Sequence, residues 1–281
     1  MISLCKPVRG IGLHPSFFMI TSHQNLKIKL ARSLSGRTRD RREAGAFLTE
    51  GVRLIEEALQ TGWPIRYILY SEEVSTRGHE LIEKSKAMGV NVEQAAFDLI
   101  QSLTETEFSQ GILAVLDERS LRLPPRLDFV LIPDQIRDPG NLGSLLRSAI
   151  AAGVNAVLLP DGTTDIYAPK VVRAGMGAHF RLPIRTMSWD EIGGMCKSAA
   201  LLVYLAEMSG LPYWESDLRP PLALIVGGEA EGAGEQARKL ASKKIGIPMQ
   251  QGYESLNAAV AGSILMFEVL RQRGSGLVRP K

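Results

Sequence analysis

Two segments of the sequence place glycine or proline beside polar side chains, directly after an apolar run. The first runs from Asp134 through Pro139 and Gly140 to Asn141 and Gly143, with Arg147 six residues beyond the asparagine. Proline and glycine favour a turn, and Asn141 is a suitable N-cap for the helix that follows. The second runs from Gly227 to Gly234 and contains Glu229, and such a loop lets the backbone approach a ligand closely. A capped helix with one surface arginine and a plain structural turn are the alternative interpretations.

A third segment joins an Ile-Pro-Met run that begins at Ile247 to Ser255, Leu256 and Asn257 at the start of an apolar helical pattern. This loop is longer than a strand-to-helix connection requires, and long ordered loops are often functional. Ser255 can also be explained as an N-cap alone. The glycine-rich segment before it matches neither the dinucleotide fingerprint nor the P-loop, since no Lys-Ser/Thr pair follows it.

Alternating strands and helices must position these segments. In the first half we predict strands at 46–50, 65–70, 89–92 and 111–116 and helices at 51–61 and 78–88. In the second half we predict strands at 128–133, 156–159, 201–206, 222–226 and 245–247, and helices at 141–152, 190–200 and 256–272. Gly153 is a C-cap signal. The fold class is therefore α/β, with a mostly parallel sheet in the second half, where ligands gather at the carboxyl ends of strands.

The length of 281 residues favours two domains. We predict a disordered tail over residues 1–24, a small α/β domain over 25–120, a linker over 121–127 that contains two adjacent prolines, and a second domain over 128–281. No apolar run is long enough for a transmembrane helix. The two cysteines and four scattered histidines have no metal-ligand spacing, so we expect no metal site. Two cysteines cannot form a disulfide framework, which favours a reducing, cytoplasmic setting away from a membrane.

Positive charge is concentrated near the start of the first domain. Between Lys27 and Arg53 there are eight basic and three acidic residues, a net charge of +5, whereas the whole chain has +3. Such a segment suits contacts with phosphates, although charge alone does not separate RNA from DNA, from an acidic protein or from an ordinary solvated surface. The candidate RNA-binding residues are Lys27, Lys29, Arg32, Arg37, Arg39, Arg41 and Arg42.

Taken together, in this order and at these spacings, the three segments resemble the motifs of the SpoU (TrmH-like) family of RNA 2′-O-ribose methyltransferases, within the SPOUT class. The matching residues are Asn141, Gly143 and Arg147 in the first motif, Gly227, Glu229 and Gly232 in the second, and Ile247, Pro248, Met249, Ser255, Leu256 and Asn257 in the third. The resemblance covers roughly residues 127–273. The segment from Phe47 to Gly51 and the strand after it also look like the substrate-binding domain of the rRNA-directed members.

The resemblance implies a deep trefoil knot in the C-terminal domain, S-adenosylmethionine (AdoMet) as methyl donor, and a homodimer with active sites near the subunit interface. It implies that Arg147, Asn141, Glu229, Ser255 and Asn257 are catalytic. The cofactor-binding residues it implies are Leu205, Gly227, Gly232, Ile247, Met249 and Leu256.

The implied substrate is an rRNA, with 23S rRNA expected, because the tRNA-directed members usually lack the first domain. A tRNA methyltransferase, an antibiotic-resistance enzyme that methylates rRNA, a base methyltransferase of the wider class and a non-catalytic assembly factor are the alternatives. Arg147 has two physically possible roles: electrostatic stabilisation of the ionising 2′-oxygen, or action as a base, which would require an unusual fall in its pKa.

Overall fold

A computed structural model describes residues 19–104, 109–229, 232–250 and 255–274. Residues 1–18 of the predicted tail lie outside the described residues. The strands are β1 (Ala46–Glu50), β2 (Ile65–Tyr70), β3 (Val92–Gln94), β4 (Ile112–Asp117), β5 (Phe129–Asp134), β6 (Ala156–Leu159), β7 (Ile184–Thr186), β8 (Leu202–Pro212), β9 (Leu222–Gly227) and β10 (Lys243–Gly246). The helices are α1 (Leu26–Ser35), α2 (Thr38–Ala44), α3 (Val52–Gln60), α4 (Thr76–Ala87), α5 (Phe97–Gln101), α6 (Pro139–Ala151), α7 (Pro169–Gly175), α8 (Trp189–Ser198), α9 (Glu235–Leu240) and α10 (Ala258–Arg273).

The N-terminal domain contains a four-stranded sheet in the order β1-β4-β2-β3. Only β2 and β3 form the parallel pair expected of a βαβ unit, with α4 as the connecting helix, whereas β4 pairs antiparallel with both β1 and β2. The sequence pattern of alternating elements therefore placed β1, β2 and β4 but not their directions. The strand predicted at 89–92 was placed wrongly, because β3 begins only at Val92 and residues 89–91 belong to the connection after α4. Ile20 belongs to this domain as well: it is buried and its amide donates to the Gln94 carbonyl at 2.8 Å, so the prediction of a disordered tail was wrong for this residue.

The C-terminal domain contains a six-stranded sheet in the order β10-β8-β9-β5-β6-β7, in which every pairing is parallel. Helices α6, α7 and α10 cover one face, where Leu145 and Met266 are fully buried, and α8 and α9 cover the other, where Ile192 and Ala237 are fully buried. Burial on both faces explains why β9 is a continuous apolar run. The structure adds α7, α9 and β7, which periodicity did not predict, and extends β8 six residues beyond the predicted strand.

The two domains share a core. Val172 and Phe180 of the C-terminal domain belong to the apolar cluster that contains Phe47 and Trp63 of the N-terminal domain. The Phe180 ring contacts the Trp63 ring edge to face at a centroid distance of 5.2 Å. No helix or strand occurs between β4 and β5, the region that includes the predicted linker. None of the described helices is long and apolar enough to span a membrane.

Candidate functional site

Three polar side chains from distant parts of the chain meet in one hydrogen-bonded cluster. Asn141 Nδ2 donates to Glu229 Oε1 at 2.6 Å, and Asn257 Nδ2 donates to the same oxygen at 2.6 Å. Asn257 Nδ2 also lies 2.9 Å from Asn141 Oδ1. The Ala258 amide donates to Glu229 Oε1 at 3.3 Å. One residue from each of the three sequence motifs therefore contributes to a single polar centre, with the Glu229 carboxylate as its common acceptor.

The sheet brings these residues together because β5 and β9 are neighbours in register. Asp134 at the end of β5 is paired with Gly227 at the end of β9, so the loops that carry Asn141 and Glu229 leave the same edge of the sheet. Asn257, the N-cap residue of α10, lies at the same edge. Its Oδ1 caps the helix by accepting from the Ala259 and Val260 amides at 3.0 and 3.2 Å.

The capping residues differ from the prediction in a way that affects the site. Asp138, and not Asn141, is the N-cap of α6: its Oδ1 accepts from the Asn141 amide at 2.9 Å. Likewise Asn257, and not Ser255, caps α10. The cap at Asp138 places Asn141 inside the first turn and leaves its amide side chain available for Glu229. Ser255 is exposed and lines the cavity described next.

Arg147 lies on the exposed side of α6, six residues beyond Asn141. At a rise of about 1.5 Å per residue, the two positions are roughly 9 Å apart along the helix axis. Arg147 forms no hydrogen bond or ion pair with the described part of the chain, unlike Arg181 and Arg238, which both pair with carboxylates. Among the described residues, nothing occupies its guanidinium, which is a group that suits contact with a phosphate or another oxyanion.

A cavity of about 280 Å³ lies beside the cluster. It is lined by Ala206, Glu207, Met208, Val226, Gly227, Gly228, Glu229, Gly232, Ala233, Arg238, Ile245, Gly246, Ile247, Met249, Ser255, Leu256, Ala258, Ala261 and Leu265. Of the residues predicted to bind the cofactor, Gly227, Gly232, Ile247, Met249 and Leu256 are in this lining. Leu205 is not: it is completely buried between the sheet and its covering helices, so its prediction as a cofactor contact was wrong.

Glycine is required at the entrance to this cavity. A Cβ atom on Gly227 would lie 2.6 Å from the Gly232 carbonyl carbon, which no ordinary packing tolerates. Gly232 itself has a φ of 68°, in the left-handed region that favours glycine. The loop after β9 therefore folds back on its own strand, and it can present backbone amides and carbonyls to a ligand at short range.

A second, smaller cavity of about 130 Å³ adjoins the first and shares Gly228, Glu229, Gly232 and Ala258 with it. Its other walls are residues 135–138 and Asn141. Gln135 has a φ of 54°, which is unusual for a residue with a side chain. This backbone turn directs the chain from β5 over the cavity. The polar cluster thus lies between a larger, mainly apolar cavity and a smaller cavity whose walls include charged and amide side chains.

Two charged residues, Glu207 and Arg238, are also in the lining of the larger cavity. Glu207 forms ion pairs with Arg238 and with Lys244, whose Nζ lies 2.6 Å from Glu207 Oε2. Glu207 directly follows the predicted strand that ends at Ala206, and residues 205–208 were expected to form a wall of the ligand site for that reason. Arg238 is the charged residue of the lining that sequence reasoning missed. Nearby, burial raises the pKa of the Asp134 carboxyl, and the Gly234 amide, which donates to Asp134 Oδ2 at 2.7 Å, partly opposes that rise.

The predicted RNA-binding residues divide into different environments. Lys29, Arg37, Arg39 and Arg42 are exposed on α1 and α2 and at their junction. Arg32 is exposed and contacts His23 and Ser102, while Lys27 is half-buried and paired with Glu93. Arg41 was predicted wrongly, because only 3% of it is exposed and its guanidinium is hydrogen-bonded within the protein.

The structure holds no candidate metal centre within its described ranges, where no group of three histidine, cysteine or acidic side chains is suitably placed. The geometry is that of a larger, mainly apolar cavity, a smaller cavity beside it, and an arginine that has no partner among the described residues. Such a site can bind an organic cofactor through backbone groups and orient a polar acceptor against it.

Comparison with known proteins connects this geometry to a family. Residues 128–267 match the SpoU rRNA Methylase family, and residues 25–114 match the MRM3-like substrate binding domain. The chain is 34% identical to a 23S rRNA (uridine(2479)-2′-O)-methyltransferase of Streptomyces viridochromogenes, across 93% of this chain and 95% of the relative. It is also 34% identical to a 23S rRNA (guanosine(2553)-2′-O)-methyltransferase of Bacillus subtilis, across 89% of this chain and 98% of the relative. A crystal structure of a SpoU methyltransferase from S. viridochromogenes with AdoMet superposes with a TM-score of 0.81 at 32% identity, covering 90% of this chain and 100% of that chain.

Proposed function

The chain belongs to the SpoU rRNA methylase family, and we propose that it transfers the methyl group of AdoMet to a ribose 2′-hydroxyl of 23S rRNA. The observation that carries this assignment is the convergence of Asn141, Glu229 and Asn257 between the two cavities. Arg147 lies on the same helix as Asn141 and has no partner in the described part of the chain. The two bacterial relatives are named for a uridine and a guanosine at different positions. Family membership therefore indicates the chemistry without specifying the target nucleotide.

The larger cavity fits AdoMet. Its walls are mainly apolar, as an adenine requires, and the close approach of Gly227 to residues 232–233 exposes backbone groups that can hydrogen-bond the polar parts of the cofactor. Gly227, Ile247, Met249 and Leu256 would hold it. When bound, AdoMet supplies an electrophilic methyl group on a sulfonium, so the reaction needs no metal. The Glu207 carboxylate in the lining would accept a hydrogen bond from a hydroxyl group, since its charge is already paired with Arg238 and Lys244.

The residues around the second cavity would bind and orient the acceptor ribose. Asn141 is held by Glu229 and Asn257, so its position relative to the cofactor cavity is determined before RNA binds. Arg147 would contact the phosphate next to the target ribose and stabilise the negative charge that develops on the 2′-oxygen. We favour this electrostatic role because Arg147 is exposed and a planar guanidinium is well suited to bidentate contact with a phosphate.

The N-terminal domain would bind the RNA away from the reacting ribose. Its match to a substrate-binding domain and the exposed basic residues of α1 and α2 support this role. Phosphate contacts from these residues would position the substrate without reading its sequence. We also propose that the C-terminal chain passes through a deep trefoil knot, as the family implies, which would hold the third motif against the first two.

A second copy of the chain would cover the exposed apolar face of α10. Val260, Ile264 and Phe267 lie at helical spacing on this face and are 48%, 36% and 46% exposed. An apolar stripe of this kind on a helix is typical of an interface. We expect Phe267→Asp to convert a dimer to a monomer in analytical ultracentrifugation. A wild-type chain that sediments as a monomer at micromolar concentration would contradict the proposal.

The decisive experiment is transfer of labelled methyl from AdoMet to separated 23S rRNA, 16S rRNA and tRNA. Arg147→Ala is the test variant, and Arg126→Ala, an exposed arginine just before β5 at the opposite edge of the sheet, is the matched control. We expect label in 23S rRNA, resistance of the product to alkaline cleavage, and loss of transfer only in Arg147→Ala. Label confined to tRNA would refute the proposed substrate, and label on a base would refute the proposed acceptor.

A further inference from the structure

The guanidinium of Arg41 connects the basic helices to the C-terminal domain. Within its own domain it donates to the Leu34 and Gly36 carbonyls, each at 2.9 Å, and to Thr38 Oγ1 at 3.2 Å. Its Nε donates across the domain boundary to Asp165 Oδ2 at 2.7 Å. One buried side chain therefore holds the junction of α1 and α2 in shape and attaches that junction to the other domain.

Asp165 is suited to receive this contact. It lies in the loop between β6 and α7, and its side chain is 14% exposed. Its other oxygen, Oδ1, accepts from the Tyr167 amide at 3.0 Å, which fixes the local turn. The Tyr167 ring then stacks on Phe47 of the N-terminal domain at a centroid distance of 4.7 Å. The loop is thus attached to the N-terminal domain at two points, one ionic and one aromatic.

The same loop is also bonded to the chain that forms the second cavity. Thr163 Oγ1 donates to the Pro133 carbonyl at 2.9 Å, and the Thr164 amide donates to the Ile136 carbonyl at 3.0 Å. Ile136 lines that cavity. Thr164 is adjacent to Asp165 in the chain, and Thr163 precedes Asp165 by two residues. A shift of Asp165 would therefore be transmitted directly to the wall of the second cavity that contains Asn141.

We propose that the Arg41–Asp165 pair is a positioning contact that sets the register between the RNA-binding domain and the acceptor cavity. This inference rests on the proposed function. RNA held by the exposed residues of α1 and α2 would be placed relative to Asn141 through Arg41, Asp165 and Thr164. Because a misplacement of about 1 Å can cost a factor of about 100 in rate, a direct connection between the two domains is a physical requirement of accurate transfer.

A second ion pair across the same interface provides the matched control. Glu57 of α3 accepts from Arg181 at 2.8 Å, with the two side chains 27% and 52% exposed. Glu57 and Arg181 make no hydrogen bond to the loops at 133–138 or 163–165 among the described residues. Loss of this pair weakens the interface without changing the connection to the cavity.

The test compares Asp165→Asn with Glu57→Gln. Asparagine keeps the shape of Asp165 and an oxygen for the Tyr167 amide but removes the charge that faces Arg41. Arg41→Lys is the second variant, because it keeps the charge but cannot reach four acceptors. For each protein we would measure the AdoMet Kd by calorimetry, kcat and KM for 23S rRNA, the melting temperature, and hydrogen exchange at the Thr164 amide with and without 23S rRNA.

We expect Asp165→Asn and Arg41→Lys to lower kcat/KM for rRNA by about tenfold to a hundredfold, with an AdoMet Kd within twofold of the wild type. We expect Glu57→Gln to change kcat/KM by less than threefold. Bound RNA should slow exchange at Thr164 in the wild type and not in Asp165→Asn. Equal kcat/KM in Asp165→Asn and Glu57→Gln, or equal RNA protection of Thr164 in wild type and Asp165→Asn, would overturn the inference. A wild-type protein without transfer activity would instead refute the proposed function, and the exchange experiment would still decide the inference.

Discussion

The single carboxylate oxygen that accepts three hydrogen bonds makes Glu229 the most informative residue to change. Glu229→Gln keeps an oxygen in place and removes the charge. A hydrogen bond to an ionised group is worth about 1.5–3 kcal/mol, against about 1 kcal/mol for a neutral one. Because Glu229 is exposed, solvent screening reduces that difference, and we assign about 0.5 kcal/mol to each of the bonds from Asn141 and Asn257. The sum of about 1 kcal/mol corresponds to a roughly fivefold lower kcat.

Glu229→Ala removes the acceptor altogether. At about 1.5 kcal/mol for each of the bonds from Asn141 and Asn257 and about 1 kcal/mol for the bond from the Ala258 amide, the loss is about 4 kcal/mol, and we expect kcat to fall by roughly a thousandfold. Single-turnover transfer of labelled methyl to 23S rRNA measures both variants, with the AdoMet Kd determined in parallel. Glu235→Gln, an exposed residue of α9 that pairs only with Lys239 in the described structure, is the control. The reasoning is refuted if Glu229→Gln and Glu229→Ala have equal kcat, or if both lose AdoMet affinity and retain kcat.

Three further perturbations have defined outcomes. Gly143→Ala should lower the melting temperature by several degrees, because the new Cβ would lie 2.5 Å from Ala174 Cβ and overpacking costs about 1–3 kcal/mol. Gly194→Ala is the helical control, because a Cβ atom at Gly194 would have open space around it. An equal fall in melting temperature in both variants would contradict the steric argument. Gly227→Ala should raise the AdoMet Kd by at least tenfold in calorimetry, since the loop after β9 would have to move away from its strand. A Kd within twofold of the wild type would exclude a role for this close approach of the loop in cofactor binding. Burial lowers the pKa of His179 from 6.5 to about 4, so the unfolded chain binds more protons than the folded chain between these pH values. The free energy of unfolding should therefore decline by about 3 kcal/mol in total as the pH falls from 6.5 to 4. A urea-unfolding series in which the free energy of unfolding of His179→Gln declines as steeply as that of the wild type would disprove this cause.

The residues of the candidate site could be identified in the sequence because their spacing along the chain is local. Asn141 and Arg147 share one helix, and the glycines of the second motif surround Glu229. Apolar runs likewise predicted most strands of the parallel sheet to within a residue or two at each end, because burial on both faces leaves a continuous apolar signal. The prediction of an AdoMet-dependent RNA ribose methyltransferase came from the order of the three motifs, and the family match and the relatives support it.

The roles within the site depended on contacts that spacing does not encode. Asn141 and Asn257 are both reasonable N-caps in sequence, yet Asp138 takes the first role and leaves Asn141 free to join the cluster. Leu205 and Glu207 are two residues apart on one strand, but Leu205 is buried in the core and Glu207 borders the cavity. The extension of β8 beyond Ala206, which no periodicity indicated, determines which of these positions border the cavity.

The sequence by itself indicated the chemistry through the resemblance of its three motifs to the SpoU family, since each motif is a short segment whose residue types and spacing can be compared directly. Only the tertiary structure decided which charges face solvent and which hold the protein together. Arg41 and Arg42 are adjacent and chemically identical, but Arg41 is buried against Asp165 from 124 residues away and Arg42 is exposed. The physical reason is that burial of a guanidinium depends on a partner elsewhere in the fold that can satisfy it. Local sequence contains no information about that partner.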